Sequence, residues 1–298
     1  MAGPATEALH IEREATGKTA EVAPGFWVIA TRHRPGLSKQ MFEINNRCIV
    51  FRLQDRDGPV LMAVNQTAPV AIPLVKELEQ QTGLKVRYLV SPGGGHHLQI
   101  EPWHAAFPDA DVYVGPTRIP HTDHGRKLMA LPRVKTTEIE SPFPQFHGQV
   151  EFTQFVGIGG LRDGKSPGEG GRDNLLFMFR VMREMMRPDD PTDELWLCHL
   201  PTGTVVGGEN LGWMYTAAAR AKEGFMARSM LKADRIYIQT DARKVLDKEK
   251  VAASWRRVLA WPCGAVMSFH DVTGYAYRED AQAALRSAIR AAGQLADA

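Results

Sequence analysis

Histidines and carboxylates stand in this chain where their chemistry could be used. His96 and His97 are adjacent and close the run Ser91-Pro92-Gly93-Gly94-Gly95-His96-His97. His270 and Asp271 follow a short apolar run, and Glu209 and Asn210 follow another. Imidazole nitrogens ligate zinc or iron and move protons near neutral pH. A catalytic metal site of this kind needs about three protein ligands and an open position for water. His96, His97 and His270 are the natural trio. Glu209 is a candidate carboxylate ligand or proton carrier. Asp271 is a candidate proton carrier or an orienter of a neighbouring imidazole. His199, inside an apolar run, is a further candidate ligand, although a histidine in that setting is more often a satisfied core residue. Adjacent side chains on an extended segment point to opposite sides. His96 and His97 therefore reach one ion only if the turn is irregular, which Gly93, Gly94 and Gly95 permit.

Apolar strands must deliver these residues. Residues 86–91 read as a strand running into the glycine turn, followed by a helix at about 98–107 and a strand at 111–114. Upstream, β-branched and aromatic runs at 26–31, 47–53 and 60–64 read as strands, with Asp55-Arg56-Asp57-Gly58 as a hairpin turn. Apolar residues at helical spacing predict a helix over about 71–81 that Gly83 caps. Strands are expected at 134–139, 149–155, 194–199, 204–206 and 264–269, and helices at about 245–259 and 280–294. Residues 157–171 are glycine-rich and read as a loop, and 174–186 as a Met-rich helix. Residues 1–20 read as a polar arm before one domain spanning 21–298.

The turn and its neighbours resemble the metallo-β-lactamase fold superfamily, in a divergent branch with a degenerate metal-binding motif. In that family a strand ends in Thr-His-x-His-x-Asp-His. Here Ser91 takes the Thr position, Pro92 and Gly94 the first two histidines, His96 the Asp and His97 the last His. Pro92, the His96-His97 pair, Trp103 and Phe107-Pro108-Asp109-Ala110 are similar to a branch with a Pro-Asn-x-x-His-His turn. The resemblance implies an αββα sandwich: two mixed β-sheets face to face with helices outside. Asn65 then takes the place of an Asp that ends an early strand. Glu209 or Asn210 replaces the metal-bridging Asp, and His270 stands at the last metal ligand. The site that needs histidines at positions 92 and 94 has to be rebuilt, with His147 and His199 as candidates. A competing stretch, His121-Thr122-Asp123-His124-Gly125, matches the second half of the motif, but Pro120 precedes it and no strand leads in.

The resemblance implies hydrolysis of an ester, amide, lactone or thioester of a small to medium molecule, at one divalent zinc or iron ion. Iron-dependent redox chemistry, metal-free acid–base catalysis by His96 and His97, and a non-catalytic ligand-binding role are the alternatives. Trp103, Trp213, Met214, Tyr215 and Phe269 are candidates for a partly aromatic or acyl pocket, or for core.

Composition narrows the partners. A net charge of +2 over 298 residues argues against a nucleic-acid surface. No apolar run approaches the ~18 residues of a membrane span, and residues 1–18 lack the apolar stretch of a signal peptide. Cys48, Cys198 and Cys263 are widely spaced, as expected of reduced thiols in a cytoplasmic protein. Apolar stretches at 174–186 and 211–230 leave room for a homodimer.

Overall fold

Cys48 and Val50 face one core while Ile49 and Phe51 face another, the two-residue period of a strand buried on both sides. That strand belongs to a computed structural model that describes residues 17–33, 44–93, 96, 99–160, 190–208, 210–212, 214–221, 228, 232–239, 244–271 and 276–295. His97, Glu209 and Trp213 lie outside these residues, as do the helix expected at 174–186 and most of the glycine-rich loop.

The first sheet has seven strands in sequence order. They are β1 (Thr19–Ala23), β2 (Phe26–His33), β3 (Ile44–Asp55), β4 (Gly58–Val64), β5 (Val86–Val90), β6 (Asp111–Val114) and β7 (Val134–Thr136). β1 to β4 are antiparallel hairpins; β4 to β7 run parallel. The crossovers are α1 (Ile72–Thr82), α2 (Ile100–Ala106) and α3 (Asp123–Met129), as parallel pairing requires. Gly83 ends α1 in the left-handed region at φ 70°. A second sheet pairs β13-β8-β9-β10-β14. Its strands are β8 (Val150–Gly160), β9 (Asp190–His199), β10 (Thr204–Gly207), β13 (Lys244–Val245) and β14 (Ala265–Ser268). α5 (Lys248–Leu259) and α6 (Ala281–Ala291) cover its outer face, while β11 (Met214–Tyr215), α4 (Ala217–Ala221) and β12 (Lys232–Ala233) form a small attachment.

Three cores make four layers. Phe51, Met62 and Val90 meet Phe152, Leu195 and Met267 between the sheets. Trp27, Val50 and Leu89 pack under Val75, Leu78 and Trp103. Trp196 and Val266 pack under Trp255 and Ile289. Each fully buried side chain of this size contributes about 1.5–3 kcal/mol. The result is the αββα sandwich expected from the sequence. Three details differ. The polar arm read over residues 1–20 gives way at its end, where Thr19 opens β1 and the alternation Thr-Ala-Glu-Val-Ala extends the sheet edge. β8 runs on through residues 157–160 of the stretch read as loop, across a bulge between Phe155 and Ile158. Residues 244–245 pair with β8 as an edge strand, so the long helix begins later, capped by Asp247.

Candidate functional site

Strand ends from both sheets meet at one edge of the sandwich. β4 ends at Asn65, whose φ of 66° lies in the left-handed region that Asn tolerates better than most residues. β5 ends before Gly93, whose φ is 90° and whose carbonyl accepts the amide N–H of His96 at 3.1 Å. β14 ends before His270. Two backbone bonds join the sheets here. The Leu195 N–H donates to Pro92 O at 2.8 Å, and the Arg47 N–H donates to Phe269 O at 2.8 Å. The turn carrying His96 and the loop carrying His270 are thus each tied to the opposite sheet.

His96 and His270 face one another with Nε2 atoms 3.1 Å apart, and the residues are 7% and 6% exposed. Their other nitrogens fix what those Nε2 atoms can be. His270 Nδ1 lies 2.9 Å from the carbonyl oxygen of Asn45, which can only accept. Asn65 donates its amide group to Arg47 O and to Asn46 Oδ1, both at 2.7 Å, so its Oδ1, 2.8 Å from His96 Nδ1, must accept. Both histidines therefore carry their proton on Nδ1. In the neutral state two lone pairs then point at each other, which is repulsive unless a proton or a cation lies between them. Imidazole nitrogens that share a tetrahedral zinc, at about 2.0–2.1 Å each, sit roughly 3.3 Å apart. The pair fits a single metal ion held by both Nε2 atoms, with Asn45 and Asn65 as the outer partners such ligands normally have. Among the described residues no three His, Cys, Asp or Glu side chains form a complete metal cluster. His97 and Glu209, the other ligands expected, lie outside those residues.

A buried ion pair underlies the pair. Arg47 and Asp271 are fully buried, with Arg47 Nη1 3.4 Å from Asp271 Oδ2. Burial pulls the Arg47 guanidinium down from its ordinary value and Asp271 works against that. Ser268 donates its amide to Asp271 Oδ2 and its hydroxyl to Oδ1, at 2.7 Å for the latter. The same hydroxyl accepts the His270 N–H at 3.1 Å. Asp271, read from sequence as a proton carrier or an orienter of a neighbouring imidazole, has both oxygens engaged in holding the loop. Asn45 also donates its side-chain amide to the Tyr215 hydroxyl at 2.9 Å.

Sequence reasoning did not single out Asn45, Arg47 or Ser268, and it named Tyr215 only as a candidate for the pocket or the core. Arg47 carried a usable signal: a cation inside an apolar strand run is almost never fully buried unless paired. Glu194 is another: it is 1% exposed and accepts the Asn210 N–H at 2.7 Å, pressed against Gly208.

Other candidates are placed elsewhere. His199 ends β9 at the edge opposite the pair, stacked at 5.5 Å on Phe51 and 4.9 Å from Phe26, with Nδ1 on the Thr202 hydroxyl at 2.9 Å. It is a core histidine there and does not join His96. His147 lies at that same far edge, on Glu151 at 2.6 Å. His121, Asp123 and His124 open a helix rather than close a strand. Thr122 caps α3 by accepting the Gly125 N–H, and the exposed Asp123 pairs with Arg126. Trp103 is core, its indole N–H on Thr67 O at 2.8 Å. Phe269 stays beside the pair, 5.9 Å from the His96 ring.

Burial lowers the His199 imidazole to about 4, so between pH 6.5 and 4 the unfolded chain binds a proton that the folded chain does not. Stability is then lost as pH falls through that window. Between pH 7 and 5 the loss from this residue should be about 1–2 kcal/mol. Urea midpoints of the protein and of His199→Phe at both pH values test this; the variant should lose less by that amount.

No protein-family model matches the chain and no curated protein matches its sequence. Solved structures do match. The metallo-β-lactamase FIM-1 from Pseudomonas aeruginosa, in its mono-zinc form, superposes with a TM-score of 0.52 at 11% identity, over 92% of this chain and 96% of that one. The metallo-β-lactamase from Erythrobacter litoralis gives 0.52 at 12% identity over 93% and 92%. Its form with β-mercaptoethanol in the active site gives 0.53 at 12% over 93% and 96%. The chain has the metallo-β-lactamase fold.

Proposed function

We propose that this chain is a hydrolase that holds one divalent ion, zinc or iron, through the Nε2 atoms of His96 and His270. The observation that carries the reading is that both Nδ1 atoms are committed as donors, to Asn65 and Asn45, leaving the Nε2 lone pairs converged at 3.1 Å. His97 and Glu209, the further ligands expected from the sequence, lie outside the described residues. When bound, such an ion lowers the pKa of water or polarises a carbonyl. The chain's own residues do the rest. Asn45 and Asn65 hold the ring tautomers. Asp271 and Ser268 hold the loop that aims His270. Phe269 supplies apolar surface beside the pair, and the Tyr215 hydroxyl holds the Asn45 side chain. Substrates of this kind would be small to medium esters, amides, lactones or thioesters.

A second reading shares a proton between the two Nε2 atoms and uses the pair for acid–base catalysis without a metal. Pro92 and Gly94, which carry no ligand atom where the family pattern has histidines, favour it. One experiment separates the readings. Chelated, untagged protein is titrated with Zn²⁺ by calorimetry, with elemental analysis of the protein as purified. The metal reading expects about one equivalent, loss of at least a hundredfold in affinity in His96→Ala and in His270→Ala, and about 10–100-fold loss in Asn65→Ala, where the ring loses its acceptor. No uptake, or uptake unchanged in both histidine variants, would overturn it in favour of the shared proton.

A further inference from the structure

We propose that a cavity away from the histidine pair, under the start of α5 on the outer face of the second sheet, binds an apolar carboxylate. The cavity holds about 380 Å³, within the range of small-molecule sites. Ile139, Val156, Ile158, Leu246 and Ala253 supply the apolar part of its lining. Ile139 and Leu246 are 42% and 38% exposed. Only Val70 joins them among the exposed large hydrophobic residues described.

Polar groups in the cavity say what binds. Thr192 lines it, is 1% exposed, and its hydroxyl has no hydrogen-bond partner among the described residues, an uncommon state for a buried hydroxyl. Arg257 donates Nε to Thr153 Oγ1 at 2.8 Å and an Nη to Ser254 Oγ at 3.4 Å, both neutral oxygens. No described carboxylate pairs with its guanidinium. Two carboxylates and a second cation also face the cavity. Asp247 is occupied: it caps α5 by accepting the Glu249 and Lys250 amides at 3.1 Å, and Lys250 Nζ lies 3.4 Å from it. Glu140 is exposed and solvated. Of the two charges without a partner of opposite sign among the described residues, that of Glu140 is exposed and that of Arg257 half-buried, and a guanidinium fork matches a carboxylate. A carboxylate on Arg257 with its apolar chain along Val156, Ile158 and Leu246 also gives the Thr192 hydroxyl an acceptor. The volume suits a ligand of about ten to fifteen non-hydrogen atoms.

Calorimetric titration of the full chain with octanoate, 1-octanol and octylammonium tests this. Octanoate should bind once per chain and octylammonium at least tenfold more weakly. Arg257→Gln should weaken octanoate tenfold or more and leave octanol unchanged. Ala253→Trp should fill the cavity and abolish binding. Leu246→Glu, at a position that is 38% exposed, should repel octanoate if the tryptophan variant fails to fold. His96→Ala should bind octanoate as the parent does, which separates this site from the pair. The proposal is overturned if octanoate does not bind, if octylammonium binds equally well, if Leu246→Glu changes nothing, or if binding is lost in His96→Ala.

Discussion

Asp271→Ala should lower stability by about 3–5 kcal/mol, because it leaves Arg47 charged and fully buried without its carboxylate. The carboxylate is not interchangeable with water here, since both partners are 0% exposed. Arg47 keeps a bond to the Ser268 carbonyl at 3.3 Å, a dipole where the carboxylate supplied a charge. The loop also loosens, because the Ser268 amide and hydroxyl lose their acceptor. Urea unfolding of chelated protein measures the effect without contribution from a bound ion. The double variant Arg47→Met/Asp271→Ala should regain much of the loss, since removing both charges of a buried pair costs less than removing one. A single-variant loss below about 1 kcal/mol would mean that Arg47 finds water or another anion. Zinc titration then asks the functional question. If the double variant regains stability but not metal affinity, Asp271 positions His270 and does not merely neutralise Arg47.

The strands were legible because burial on both faces writes itself as β-branched and aromatic runs, as in Ile49, Val50 and Phe51. Strand ends were legible too, and His96 and His270 were found there. What could not be read was which strand end meets which. Asp271 and Arg47 are 224 positions apart, and His270 and His96 are 174 apart. No local pattern encodes such pairings; they follow from how two sheets stack. His199 misled for the same reason. Its strand is right and its family position plausible, but it stands at the C-terminal end of β9, well past Glu194, where Phe26 and Phe51 enclose it. The stretch from His121 to Gly125 misled differently. Its residue types match a ligand motif, yet Thr122 and Gly125 are a helix cap, and a Cβ on Gly125 would lie 1.7 Å from Ile119 O.

Gly93→Ala should be strongly destabilising. Two terms add. The φ of 90° is one that L-residues rarely adopt, which alone costs about 1–2 kcal/mol. The added Cβ would also lie 2.2 Å from the carbonyl oxygen of Asp193 and 3.3 Å from Glu194 Cα. Both neighbours are backbone of β9, so no side chain can rotate away and the turn itself must move. Moving it stretches the bond from the Leu195 N–H to Pro92 O that ties the turn to the second sheet, and it carries His96 away from His270. We expect a loss of at least about 3 kcal/mol, in the range of overpacking with backbone displacement, together with loss of metal uptake. Gly83→Ala is the control. It has a similar φ of 70° but nothing within 4 Å of the added carbon, so it should cost only about 1 kcal/mol and leave metal uptake unchanged. Equal costs for the two variants in urea unfolding would show that conformational strain, not contact with β9, holds Gly93 in place. In that case the turn could shift without the second sheet, and the coupling that aims His96 at His270 would have to come from Asn65 alone.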